Sequence, residues 1–61
     1  MYIFRAEYEN MDNVEETRTV TIEIEAQLFE SEKKIYLCAM AKAFDLKEAN
    51  ECLASVEFIA G

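Results

Sequence analysis

The chain has 61 residues, no histidine, two cysteines and a formal net charge of −7. One domain of this size buries only about 60% of the surface of its unfolded chain, which is near the lower limit for folding without a partner. Zinc sites built from cysteine and histidine are excluded, and six basic residues against thirteen acidic ones argue against nucleic-acid binding.

The two cysteines, Cys38 and Cys52, do not form a CxxC pair, so no disulfide framework is indicated. The first ten residues, MYIFRAEYEN, contain one arginine and no apolar run long enough for a signal peptide or a membrane span. These features predict a soluble, cytosolic protein in a reducing compartment.

Two strands are predicted in the first half of the chain. Residues 2–8 (YIFRAEY) and 17–26 (TRTVTIEIEA) alternate between apolar and polar side chains, the pattern of half-buried strands. The intervening ENMDNVEE has loop residues but no Asn-Gly pair, which favours a long hairpin connection. Matching the apolar faces places Tyr8 opposite Arg18, Phe4 opposite Ile22 and Arg5 opposite Thr21.

The second half predicts a helix followed by a third strand. Residues 31–44 have an N-cap candidate in Ser31 and no Gly or Pro, so we expect the main helix there. Asp45 and Glu48 have capping-box spacing, which allows a short second helix over 46–52. Residues 54–60 alternate again and predict the third strand.

The element order predicts an α+β fold in a single domain over residues 1–61. In this ββαβ fold, one main helix packs on one face of a three-stranded antiparallel or mixed sheet with the order 3-1-2. A right-handed crossover carries the chain from the second strand to the third, parallel to it.

The run IYLCAMA, residues 35–41, has no polar face. On a helical wheel, one side carries Leu37, Met40, Ala41 and Phe44, which we predict to pack on the sheet. The opposite side carries Ile35, Cys38, Ala39 and Lys42. We predict that these four form the interface of a homodimer or higher oligomer. The alternative is that they are scattered exposed residues, screened by the short helix or by Leu28 and Phe29.

Residues for catalysis are scarce. Without histidine, no general base has a partner at a suggestive spacing, and neither cysteine has a histidine to activate it. We therefore predict no enzymatic activity, no metal site and no cofactor. The outer sheet face gathers candidate contacts for a partner or ligand: Arg5, Glu7, Thr21, Glu23 and Glu25.

The run VTIEIEA, a Lys- and Ala-bearing helix and the closing LASVEFI together resemble small ββαβ orphan proteins of bacteriophages and other bacterial mobile elements. The resemblance is one of pattern and size over residues 2–60, and it implies action by binding, including inhibition of host defence proteins. We expect a self-associating binding protein that docks on another macromolecule through its acidic sheet face or loop. The alternatives are an oligomer that sequesters a nucleotide-like ligand and an accessory structural subunit.

Overall fold

The computed structural model describes residues 1–25 and 31–61, and these form the predicted ββαβ arrangement. The elements are β1 (Tyr2–Asn10), β2 (Thr17–Ile24), α1 (Glu32–Leu46) and β3 (Glu51–Ala60). The predicted strands and main helix are confirmed. The predictions for Ala26, Leu28 and Phe29 lie outside the described residues.

The predicted short helix over 46–52 is wrong. Leu46 is the last residue of α1, and β3 begins at Glu51. The proposed cap residue, Asp45, lies inside α1, so no new helix starts there. Instead, Glu51 N–H donates to the Glu48 carbonyl at 3.1 Å in a tight turn that leads from the helix directly into β3.

The sheet has the order β2-β1-β3, and β1 pairs antiparallel with both neighbours. This confirms the predicted order 3-1-2 and makes β3 parallel to β2 across the central strand. The register between β1 and β2 is also as predicted, with Tyr8 opposite Arg18, Phe4 opposite Ile22 and Arg5 opposite Thr21. The period-two burial of both strands determines this register, because a slip of one residue would turn every apolar side chain toward solvent.

The edge strand β3 is irregular. Its register against β1 shifts twice, between Ile3 and Phe4 and between Glu7 and Tyr8. Such bulges bend an edge strand and interrupt its regular row of free backbone groups. The β3 edge is therefore poorly suited to continuous pairing with another strand.

The core lies between the sheet and one side of α1. Its buried side chains come from all of the first three elements: Phe4, Ala6, Tyr8, Ile22, Ile24, Ile35, Ala39 and Ala43. The helix contributes a stripe with a spacing of four residues, which places its three members on one face. Large side chains on the sheet therefore meet mostly small ones on the helix.

The predicted orientation of α1 is wrong. Ile35 and Ala39, which we expected on the outside, are buried against the sheet, whereas Leu37 and Phe44 are 54% and 55% exposed. The IYLCAMA run does divide into a buried and an exposed side, but the two sides are exchanged. The physical reason is volume: small alanines let the helix approach a sheet that already carries Phe4 and Tyr8.

Both ends of α1 are satisfied by side chains. At the N-terminus, Ser31 Oγ accepts a hydrogen bond from the Lys34 N–H at 3.3 Å, which confirms Ser31 as the N-cap. At the C-terminus, Tyr8 Oη donates to the Ala43 carbonyl at 2.6 Å and Arg18 Nη2 to the Leu46 carbonyl at 2.9 Å. Carbonyls in the last turn of a helix have no intrahelical partner. Here side chains of β1 and β2 supply two of the missing hydrogen bonds.

Candidate functional site

The outward side of α1 carries an apolar stripe, which we call the outer helix surface. It consists of Leu37, Met40, Ala41 and Phe44, at positions i, i+3, i+4 and i+7 of the helix. Met40 is half-buried and the other three are exposed. A helix that packs on a sheet ordinarily presents polar side chains on this side, so the stripe is surface that the fold of one chain does not need.

A groove runs beside the outer helix surface, on the side of β3. It has a volume of about 570 Å³, and its walls come from both ends of the chain and from the helix: Tyr2, Phe4, Ile35, Tyr36, Leu37, Met40 and Phe58, with Glu32 and Lys33 also lining it. Leu37 and Met40 belong to both the groove and the outer helix surface. The two are therefore one continuous apolar region.

Aromatic rings form the sheet side of the groove. Phe4 contacts Phe58 edge to face with ring centroids 5.6 Å apart, and it contacts Tyr36 at 6.0 Å in the same geometry. Tyr36 is held in place because its hydroxyl donates to the Val56 carbonyl at 3.1 Å. Phe58 remains 52% exposed despite these contacts. The groove is thus built from fixed rings with open faces, a surface that suits an apolar occupant.

A second cluster, at the other end of the molecule, contains the groups with shifted pKa values. Arg18 binds Glu51 through Nη2–Oε1 at 2.8 Å and Nε–Oε2 at 3.0 Å. These bonds, with a third from the Glu48 backbone N–H, lower the pKa of Glu51 to about 2. The hydrogen bond to Glu51 also raises the pKa of Arg18, and burial raises the pKa of Tyr8, whose ring lies 4.6 Å from the Arg18 guanidinium carbon.

This cluster joins elements of the fold. Every charged group in it has a partner within the chain, and among the described residues no buried side-chain nitrogen or oxygen lacks a hydrogen bond. Shifted pKa values occur in catalytic sites, but structural ion pairs shift pKa values as well, so the shifts alone do not identify a catalytic site. Here the partners include two backbone carbonyls of α1 and the Glu48 N–H in the turn before β3, which assigns the cluster a structural role.

The four residues of the predicted oligomer interface are not one surface. Ile35 and Ala39 lie in the core and are inaccessible to a partner. Cys38 is exposed and has a free thiol. Lys42 is exposed too, and its Nζ donates to the Glu23 carbonyl on the β2 side at 3.3 Å. The apolar surface available to a second molecule is instead the outer helix surface and the groove.

The predicted contacts on the sheet lie on the face away from α1. Arg5, Glu7, Thr21 and Glu23 are exposed there, and Glu25 is exposed just past the end of β2. Arg5 lies opposite Thr21 of β2, as predicted, and its side chain forms an ion pair with Glu57 of β3 at 2.8 Å. The resulting face is open and acidic, and at its β2 edge Thr21 and Glu23 line a depression of about 390 Å³ together with Lys42.

The basic residues are spread over the molecule. Arg5 lies on the outer sheet face and Arg18 beside the C-terminal end of α1. Lys33 and Lys34 lie in the first turn of α1, about 20 Å from that end given the 1.5 Å rise per residue. Within one chain they offer no common site for the phosphates of a nucleotide.

The sequence did not predict the outer helix surface or the groove, although it contains the apolar stripe that forms the outer helix surface. Leu37, Met40, Ala41 and Phe44 were assigned to the core because they form the bulkier stripe of the helix. One signal could have corrected this. The strands already supply Phe4, Tyr8 and Ile22, so the sheet needs a helix stripe of small residues, which Ala39 and Ala43 provide.

Two further findings concern the described part of the chain. It holds no group of three or more acidic or cysteine side chains placed to bind a metal ion, and its single helix is too short and too polar to cross a membrane.

In comparisons with known proteins, no family model, no curated protein and no solved structure matches this chain significantly.

Proposed function

We propose that this chain is a non-catalytic binding protein that associates with itself through the outer helix surface and the groove. The observation that carries the proposal is the continuous apolar region formed by Leu37, Phe44 and Phe58, each more than half exposed. Large contiguous apolar patches are rare on monomers and typical of interaction sites. Covering this region would also compensate for the small core of a 61-residue chain.

The chemistry of the groove favours binding over catalysis. Among the described residues that line it, the only ionisable groups besides tyrosine are Glu32 and Lys33, both exposed in the first turn of α1. The other lining side chains are apolar or aromatic. Such a lining suits the burial of a partner's apolar surface, and the part of it that the structure describes contains no nucleophile with an activating base.

The acidic sheet face stays free in this arrangement, because it lies on the opposite side of the sheet from α1. We propose it as the surface for a second macromolecule that carries basic groups, in line with the resemblance to small phage proteins that act on host proteins. Its exposed carboxylates are Glu7, Glu23 and Glu57. They would match the charge of a basic partner and speed up its association, an effect that is larger on the rate and on specificity than on affinity.

Sedimentation equilibrium at micromolar concentration tests self-association. We expect a mass that is a multiple of the 7.1 kDa chain and that falls to the monomer value on dilution. A constant mass of one chain over the whole concentration range would contradict the proposal. Thermal-shift assays with nucleotides address the alternative of ligand sequestration, since a ligand that binds only the folded state raises Tm by mass action.

A further inference from the structure

The outer helix surface has a symmetry that indicates how two copies meet. Large side chains, Leu37 and Phe44, lie at its two ends, and Met40 and Ala41 lie at its centre. If two such helices pack antiparallel about a two-fold axis between Met40 and Ala41, each Leu37 faces the Phe44 of the other copy. Each Met40 then faces the small Ala41 of the other copy, which lets the helices approach closely.

We propose that a second copy of this chain packs its α1 antiparallel against the outer helix surface, with this two-fold axis. The inference rests on the proposed self-association and specifies its geometry. The groove supports it, because the 570 Å³ space begins beside Leu37. In the antiparallel arrangement that is where the Phe44 ring of the second copy arrives, next to the exposed faces of Tyr36 and Phe58.

Charge complementarity distinguishes this orientation from the parallel one. Lys33 lies one turn before Leu37 on the same side of the helix, and Glu48 lies two residues past the end of α1, in the turn that leads into β3. Both are exposed. An antiparallel pair brings Lys33 of each copy toward the C-terminal end of the other copy's α1, which the turn with Glu48 follows, at both ends of the interface. A parallel pair would place Lys33 against Lys33, an added repulsion between two chains that each carry a net charge of −7.

The chain also exposes more surface than a monomer of its mass is expected to expose. A monomer of 7.1 kDa is expected to expose about 4,100 Å², whereas this chain exposes 4563 Å². The surplus is more than half of the roughly 800 Å² that each partner contributes to a standard interface. The helix of 15 residues supplies a contact about 22 Å long, and the groove widens it on the β3 side.

The first test compares Leu37→Lys with Val14→Lys by sedimentation equilibrium. Both residues are exposed in the monomer, but Val14 lies in the loop between β1 and β2 and belongs to neither α1 nor the groove lining. We expect Leu37→Lys to weaken the dimer at least tenfold, because it places a charge in the apolar contact with Phe44 of the other copy. Val14→Lys should leave the dimer dissociation constant unchanged.

The second test exchanges the charges at the ends. Lys33→Glu and Glu48→Lys should each weaken the dimer about threefold, since each puts like charges together at both ends. The double variant restores opposite charges and should return the dissociation constant to that of the original protein. Single variants whose effects simply add in the double variant would overturn the antiparallel arrangement.

The third test uses disulfide formation in a Cys38→Ser, Cys52→Ser background. Ala41→Cys lies beside the proposed axis and should give a covalent dimer under oxidising conditions. Lys33→Cys should not, because its two copies would be about 22 Å apart along the antiparallel helices, far beyond the roughly 7 Å between Cα atoms that a disulfide spans. Rapid cross-linking through Lys33→Cys would show a parallel pair and overturn the inference.

These outcomes separate the two proposals. If the original protein is a monomer, self-association itself is refuted. If it is a dimer that Leu37→Lys leaves intact, self-association stands on another surface and the antiparallel helix pair is refuted.

Discussion

Arg18 of β2 and Glu51 at the start of β3 form a doubly hydrogen-bonded ion pair, although β1 separates their strands. The Glu51 residue is only 7% exposed. The Arg18 guanidinium lies over the ring of Tyr8, the central-strand residue that pairs with Arg18, and its carbon is 4.6 Å from the ring centre. The pair therefore joins both edge strands across β1, and the bond from Arg18 to the Leu46 carbonyl adds the end of α1.

This ion pair predicts an acid-dependent stability. The pKa of Glu51 is about 2 in the folded chain against an ordinary value of 4.5. A carboxyl whose pKa is lowered by folding stabilises the fold fully above the unfolded value, and this contribution is lost as the pH falls toward the folded value. We expect the denaturant midpoint, followed by circular dichroism, to fall between pH 4.5 and about 2, and Glu51→Gln to remove part of that dependence.

The matched control is Glu57→Gln, which breaks the other ion pair. Arg5 and Glu57 are also 2.8 Å apart, but their side chains are 52% and 60% exposed. Exposed pairs contribute little because water screens them and long side chains lose freedom in forming them. Glu57→Gln should keep the acid dependence of the original protein. An identical pH profile for Glu51→Gln and the original protein would contradict the role assigned to Glu51.

Tyr8→Phe is predicted to destabilise the fold without changing its shape. The Tyr8 residue is completely buried, and its hydroxyl satisfies the Ala43 carbonyl at 2.6 Å. Removing the hydroxyl leaves that carbonyl without its bond, at a cost of about 1 to 2 kcal/mol. For a domain of this size, 1 kcal/mol lowers Tm by about 4 to 8 °C. Tyr36→Phe is the control, because that hydroxyl lies at the surface, and it should lower Tm less.

Ser31→Ala is predicted to weaken the start of α1. The Ser31 side chain accepts the Lys34 N–H, one of the four amides that a helix leaves unpaired at its N-terminus. Loss of an N-cap costs about 1 kcal/mol, whereas Ser31→Asp keeps an acceptor and should retain most of that stability. Urea unfolding of the three proteins measures the difference. Equal midpoints for Ser31→Ala and Ser31→Asp would show that the cap contributes nothing.

The strand pairing was predictable because its signals are local and strong. Alternation in β1 and β2 determines which side chains face inward, and only one register places Phe4 opposite Ile22 with both faces matched. The start of α1 was predictable for a similar reason, since Ser31 has the side chain an N-cap requires. The start of β3 was not, because Glu51 and Cys52 follow a capping-box pattern that the turn at Glu48 overrides.

The candidate site was missed because it depends on packing between distant segments. A helix that is apolar nearly all round does not show which side faces the sheet. Phe4, Tyr8 and Ile22 already fill the space above the sheet, so the alanine stripe packs there and the bulkier stripe faces outward. Arg18 and Glu51 are separated by 33 positions, and neither signals its partner in the sequence.

The orientation of α1 can be tested by enlarging an alanine on either side of it. Ala39 is completely buried, so Ala39→Leu must push the helix away from the sheet and should cost about 1 to 3 kcal/mol. Ala41 is exposed, and Ala41→Leu should change the free energy of unfolding of the monomer by less than about 0.5 kcal/mol. Urea unfolding at several protein concentrations separates this effect from any change in self-association. If Ala41→Leu proved the more damaging of the two, the helix would pack on the sheet through Leu37 and Phe44, and the outer helix surface would be part of the core.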